Sequence, residues 1–354
     1  MSCKILRALP LVALAAVLSG CKLTVLDPSG DVAVRERDLI IASTVLMLLV
    51  IVPVILLTLF FAWRYRRSST SAKYAPEWNH STALEFLIWA APLTIVMALG
   101  ALTWVGTHLL DPYRPLTRID VARPVGDEMR PLEVDVVALD WKWLFIYPEL
   151  GIATVNEMAA PVDVPVDFRI TASSVMNSFA IPALSGQIYA MPGMVTQLHA
   201  VINEPGQYDG FSANYSGAGF SDMRFKFLGM DHADFSRWVA EARAAGGTLG
   251  RQEYLALARP SIADPVRRFG AVDPALYDAI ADRCVEPGSV CMSQMQHGHA
   301  AAAGRTGVTL KVAADSAQQG GADRPAGGRH PHHLGDAERA PAATAPSSSS
   351  EATE

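Results

Sequence analysis

The reactive side chains of this 354-residue sequence are few: four cysteines, one glutamate at the edge of an apolar run, and scattered histidines and methionines. Cys21 follows Leu18-Ser19-Gly20 at the end of an apolar run that has Lys4 and Arg7 ahead of it. Small residues that fit a peptidase pocket, then a thiol to be acylated, form a lipobox and predict lipidation of Cys21 after removal of a signal peptide, residues 1–20. The alternative is an ordinary signal peptide with a cysteine after its cleavage site. Cys284 and Cys291 flank the turn Pro287-Gly288, and in an oxidising compartment a disulfide is the favoured state, although so short a loop gains little from chain entropy. The competing reading is a copper-catching cluster with Met292, Met295, His297 and His299. No CxxC or Cys/His zinc spacing occurs. His199, His232, Met191 and Met194 are irregularly spaced, and His199 lies in the alternating run QLHAVI, so no metal is expected there. Glu85 closes Thr82-Ala83-Leu84-Glu85, which reads as a capping box whose acid serves backbone N–H groups.

These groups are carried on a chain of mixed character. Residues 39–63 are free of charge and long enough to cross a bilayer, with Pro53 expected to bend them. Arg64, Arg66 and Arg67 follow at once, with Lys73 beyond, so the loop 64–82 is cytoplasmic by the positive-inside rule. A second span, 83–110, returns the chain to the other side and leaves 21–38 there as an N-terminal segment. From Pro131 the pattern changes to period two. Strands are expected near 133–138, 152–156, 166–171, 195–202 and 223–228, with an aromatic run at 141–147, and the Pro/Gly turns between them indicate an all-β sandwich over 111–230. Trp141 and Trp143 read as residues of packing or of subunit contact. Residues 231–299 are helical in character, with apolar faces at Phe235, Trp238 and Val239, at Tyr254 and Leu255, and at Leu276, Tyr277 and Ile280. From 300 to 354 the chain is rich in Ala, Gly, Ser and Pro, with His330, His332 and His333, a composition expected to be disordered.

Composition supports a membrane chain. Hydrophobic residues make up 50% and charged ones 18%, apolar for a soluble protein and fitting a chain with a few membrane spans, and a net charge of −6 gives no sign of a nucleic-acid partner. The partners expected are a lipid bilayer and a larger membrane subunit against which a two-helix hairpin docks.

The stretches DWKWLFIYP, GIATVNE, VMNSF, QIYAMPGM and YSGAGFSDM closely resemble subunit II of the haem–copper oxidases, and specifically the branch of the bacterial quinol oxidases of the cytochrome bo type. The resemblance implies a two-helix transmembrane hairpin, a cupredoxin-like sandwich, a small helical C-terminal extension and a disordered tail. Copper-carrying members have a His where this chain has Asn177. Their motif C-x-E-x-C-x-x-x-H-x-x-M falls without a gap on Ser212, Asn214, Ser216, Phe220 and Met223. Copper of this kind needs thiolates and imidazoles, so the resemblance implies a metal-free domain with no cofactor in this chain. It also implies haems and one copper in a large partner subunit, smaller membrane subunits, and membrane quinol as the substrate of a proton-pumping complex that reduces oxygen to water. A Glu at the place of Glu85 in WNHSTALEF lies, in this family, at the mouth of a proton channel. The rivals are a cytochrome c oxidase subunit II with working copper and a free-standing periplasmic binding lipoprotein with the same sandwich.

Overall fold

A computed structural model describes residues 23–69, 76–126 and 128–295. Cys21 and its signal peptide, Lys73, His297, His299 and the tail lie outside them. Two apolar helices come first: α1, Asp31–Arg64, and α2, Thr82–Leu109. At 1.5 Å per residue they are about 51 and 42 Å long, more than a hydrocarbon core of about 30 Å needs. Most of their large apolar side chains are exposed. Several hydroxyls inside the helices turn back on the carbonyl one turn earlier, as Thr58 does to Val54 and Thr94 to Ala90, which satisfies those donors within the helix.

Helix α1 begins at Asp31 rather than at 39, because the charged turns ahead of the apolar run find partners above the bilayer. Asp31, almost fully buried, accepts from Arg118 Nε and Nη2, each at 3.0 Å, and pairs with Arg35 at 2.7 Å. Glu36 accepts from the Gly186 N–H at 3.1 Å. Just before the helix, Gly30 bridges to Ile202, and a Cβ there would lie 2.6 Å from the Leu184 carbonyl oxygen, so only glycine admits this approach.

The following domain is a sandwich. One sheet has the order β12-β3-β2-β1-β5-β8 and the other β4-β10-β9-β6-β7. Strands β1 (Leu132–Leu139), β2 (Lys142–Tyr147), β3 (Ile152–Val155), β5 (Pro165–Ala172), β8 (Thr196–Val201) and β10 (Arg224–Met230) correspond to the runs read from periodicity. Strands β4 (Glu157–Pro161), β6 (Asn177–Ile181), β7 (Ser185–Ala190) and β9 (Gly206–Ser212) were not among them. Two parallel pairings, β1 with β5 and β4 with β10, tie sequence-distant strands together. Between the sheets, the rings of Trp143, Phe145, Phe168, Phe179 and Phe225 pack at centroid distances of 5.0–6.4 Å. Such aromatic pairs add to the stabilisation from burial itself.

The C-terminal extension closes the other face of the first sheet. It contains α3 (His232–Ala244), β11 (Thr248–Leu249), α4 (Arg251–Leu257), β12 (Arg267–Phe269), β13 (Ala271–Val272) and α5 (Leu276–Ala281). Tyr254, Leu276, Tyr277 and Ile280 pack on Val137, Leu139, Leu144 and Ile146, the outward residues of β1 and β2. β2 is therefore buried on both faces and loses the alternation of a solvated strand. Its Lys142 is buried as well, and the ammonium donates to the Arg259 carbonyl at 2.8 Å and to Ser261 Oγ at 2.5 Å. On the other side, Trp238 of α3 donates to Glu157 Oε1 at 3.1 Å, which also pairs with Arg268 at 2.6 Å.

Asp135 of β1 lies under this extension at 3% exposure. Burial pushes its carboxyl up to about 7, against the pull of Arg169, whose Nε is 3.5 Å away and whose guanidinium lies over the Tyr277 ring. The unfolded chain would release this proton near pH 3.9, so between about pH 4 and 7 the folded protein holds a proton that the unfolded one lacks. Stability from this group is therefore lost as pH rises through that window, by at most about 1.4 kcal/mol per pH unit, and levels off above it. Asp135→Asn is expected to remove this slope. Urea midpoints followed by tryptophan fluorescence across pH 4–8 check it, and parallel profiles for the two proteins contradict it.

Candidate functional site

The positions aligned with copper ligands gather at one end of the second sheet. Asn177 opens β6, Ser212 closes β9, and Phe179 is the register partner of Ser212. The chain then loops through 213–219, makes a single 3-10 turn at Phe220–Asp222, and enters β10. Ser212 Oγ donates to Asn177 Oδ1 at 3.0 Å, with the Asn214 carbonyl 3.3 Å from the same hydroxyl. Asn177 Nδ2 donates to the Val175 carbonyl, and Asn214 Nδ2 to that of Met176. Met223 joins through the backbone, its carbonyl accepting from the Ser212 N–H at 3.1 Å, while its thioether is fully buried in the aromatic core. Ser216 and Phe220 belong to the same loop but have other partners: the Ser216 carbonyl accepts from Trp141 Nε1 at 3.1 Å, and the Phe220 ring packs on Tyr215.

The chemistry of this donor set does not fit a copper pair. Two hydroxyls, two neutral amides, a phenyl ring and the single thioether of Met223 offer no thiolate and no imidazole. The amide and hydroxyl groups of Asn177, Ser212 and Asn214 satisfy one another and the nearby backbone, as buried polar groups must.

Trp141, read from sequence as a packing residue, packs on this loop, and its glycine partners were not read from sequence. Trp141 holds a positive φ of 67°, and its indole lies against Gly217 and Gly219. A Cβ on Gly219 would meet Trp141 Cγ at 2.5 Å, and Gly217 has φ +116°, so both positions need glycine. The signal available was the pair of glycines in YSGAGFSDM, whose partner tryptophan lies far off in sequence.

At the opposite end of the hairpin the structure corrects the reading of Glu85. Helix α2 starts at Thr82 with Ser81 as its N-cap, in extended conformation and with no side-chain capping bond. Thr82 is thus the first helical residue rather than the cap, and the supposed box is displaced by one. The Glu85 carboxylate pairs instead with His80, Oε1 to Nδ1 at 2.5 Å, and about half of it is exposed.

The remaining candidates are placed as follows. Cys284 and Cys291 are joined by a disulfide, with Cα atoms 4.8 Å apart. Asp282 lies near the two sulfurs, but its carboxylate accepts from the Ser293 N–H and hydroxyl, which lower its pKa, and bonded sulfurs are not thiolates. His199 pairs with Asp167, its register partner on β5, at 2.6 Å. The Met191 carbonyl accepts from the Thr171 hydroxyl at 3.2 Å.

Comparison with known proteins agrees with the geometry. The family model for the cytochrome c oxidase subunit II periplasmic domain matches residues 133–227, and that for the COX aromatic rich motif matches 243–288. Cytochrome bo(3) ubiquinol oxidase subunit 2 of Pseudomonas putida is 51% identical over 267 residues, 75% of this chain and 82% of the relative. Ubiquinol oxidase subunit 2 of Acetobacter aceti is 51% identical over 266 residues, covering 75% and 84%. Quinol oxidase subunit 2 of Bacillus anthracis is 35% identical over 262 residues, covering 73% and 87%. With two apolar helices ahead of a domain of the periplasmic type, the chain is an inner-membrane protein and works within a complex of several subunits. It belongs to the subunit 2 family of the bo(3)-type ubiquinol oxidases, within the haem–copper oxidases.

Proposed function

We propose that this chain is the metal-free, non-catalytic subunit II of a proton-pumping ubiquinol oxidase, in which the complex oxidises ubiquinol and reduces oxygen to water. The observation that carries the reading is the Ser212–Asn177–Asn214 cluster, hydrogen-bonded where a copper pair would need thiolates and imidazole. A domain without copper has no relay for electrons from a soluble cytochrome, so the donor reaches the large subunit from the bilayer. The haems and the remaining copper then belong to that large subunit, and further small membrane subunits complete the assembly. The sandwich serves as a fixed periplasmic module, held by the Asp31 clamp and stiffened by its extension.

An optical spectrum of the purified complex tests this. Haem bands without a long-wavelength copper band are expected, since thiolate-bridged copper absorbs strongly in the visible. Asn177→His, Ser212→Cys, Ser216→Cys and Phe220→His introduced together, beside the existing Met223, are expected to add that band when copper is supplied. A folded four-fold variant that takes up no copper would count against the assigned ligand register.

Two further roles belong to the same proposal. Cys21 carries the lipid anchor on the periplasmic side. Cys21→Ser is expected to abolish labelling by radioactive palmitate while activity largely persists, because two spans already hold the chain in the membrane; equal labelling of the variant refutes the anchor. Glu85 collects protons at the cytoplasmic face for a channel in the large subunit. Its position at the cytoplasmic end of α2, together with the absence of a capping bond, favours this over a structural role. Glu85→Ala is expected to slow oxygen consumption in an assembled complex, and Glu85→Asp to slow it less. A normal rate in assembled Glu85→Ala refutes it.

A further inference from the structure

A cavity of about 160 Å³ lies where the periplasmic ends of α1 and α2 meet the edge strands β7 and β8. Arg35 and Glu36 of α1, Asp111 and Arg114 just past α2, Ser185 of β7 and His199 of β8 line it. Two polar atoms here find no partner among the described residues. Ser185 is only 1% exposed, yet its hydroxyl makes no hydrogen bond, and the buried Nε of Arg35 is equally bare. Buried polar groups of this kind are nearly always satisfied, by protein or by something bound. The charges are uneven as well. Arg35 shares the one carboxylate of Asp31 with Arg118, so two guanidiniums stand against one acid. Arg114 adds a third, which donates to the His108 carbonyl at 3.4 Å. Glu36 accepts from the Gly186 N–H and Asp111 from the Tyr113 N–H, each through one oxygen, and His199 is already paired with Asp167.

The height of the cavity says which ligand it meets. Arg35 stands four residues, about 6 Å of helix, ahead of the charge-free run that opens at Leu39. A bilayer of about 40–45 Å around a hydrocarbon core of about 30 Å leaves a headgroup layer of about 5–7 Å on each side. The cavity is therefore level with the phosphates of the periplasmic leaflet. We propose that it seats the headgroup of a phospholipid that ends in a primary ammonium, a phosphatidylethanolamine. The phosphate lies against Arg35, Arg114 and the Ser185 hydroxyl, since a guanidinium is well matched to phosphate oxygens. The ammonium lies against Glu36 and Asp111, which would repel a purely anionic headgroup and a free phosphate alike. A quaternary ammonium has no N–H to donate and is the poorer fit. The acyl chains run down exposed apolar side chains of the hairpin such as Leu109. The lipid thus ties the hairpin and the sandwich to the membrane surface beside the Asp31 clamp.

The test uses the assembled, detergent-purified oxidase complex, stripped of lipid and then supplied with one lipid at a time, with bound lipids counted by native mass spectrometry. The wild-type complex is expected to hold one phosphatidylethanolamine that Arg114→Gln and Arg35→Lys both lose. Arg35→Lys keeps a cation beside Asp31 but has no Nε donor. Arg114 takes no part in the Asp31 clamp, so its variant decides the matter even where Arg35→Lys disturbs assembly. Arg237→Gln, an equal loss of charge at an exposed position of α3, is expected to keep the lipid. The same lipid count in wild type and Arg114→Gln overturns the proposal. Displacement of the lipid from the wild-type complex by millimolar inorganic phosphate makes the site one for a free anion and overturns the lipid. Phosphatidylglycerol held as firmly as phosphatidylethanolamine overturns the headgroup assigned from Glu36 and Asp111.

Discussion

The architecture depends on one buried carboxylate. Asp31 sits at the start of α1, almost without solvent, and is gripped by Arg118 from the segment leading into the sandwich and by Arg35 one turn on. Removing one partner of such a buried pair leaves an uncompensated charge, at a typical cost of about 3–5 kcal/mol. The clamp joins three parts of the chain that are distant in sequence: the membrane helix, the linker and, through Gly30 and Glu36, strands of both sheets. Lipid gives an isolated hairpin no orientation relative to a domain above it. This clamp supplies one.

Apart from Met223, the packing that stabilises the sandwich lies away from the positions aligned with copper ligands. In small metal-dependent domains the ion supplies the folding energy. Here the stacked Phe179 and Phe225 rings, with Trp143 and Phe145 edge-on or tilted against them, fill the interior, and the extension covers the outer face of the first sheet. Ligand chemistry could therefore drift without unfolding the domain. Lys142 illustrates the other side of that burial. Desolvation lowers its pKa, and two hydrogen bonds to the 259–261 segment compensate the ammonium, so that this cation staples the extension to β2.

Much of this was legible in the sequence. The two spans, the sandwich, and the apolar faces of the extension at Trp238, Tyr254 and Tyr277 follow from periodicity and from charge-free length. The strands that escaped are short or of mixed pattern. β9, GQYDGFS, contains two glycines and an aspartate, and β6 carries Asn and Ser on a fully buried strand, so neither gives clean alternation. Their pairing is decided by neighbours far along the chain, which local pattern does not encode. The start of α1 escaped for a related reason: a charged segment reads as loop until its partners, the Arg118 guanidinium and the Gly186 N–H, are brought over it by the fold. The His80–Glu85 pair was hidden by a one-residue ambiguity in the helix start, since Ser81 and Thr82 are both good caps. The family resemblance supplied the ligand positions, which no spacing rule would have revealed once the cysteines and histidines were gone.

The path of loop 213–219 is set by Trp141 and by Gly217 and Gly219, none of which is a ligand position. Backbone course and donor chemistry are thus written in different residues. A lineage can exchange side chains at 177, 212, 216 and 220 while the mould that presents them stays the same, and the traffic can run in either direction. Loss of the tryptophan or of either glycine would be the irreversible step, because it would erase the mould itself.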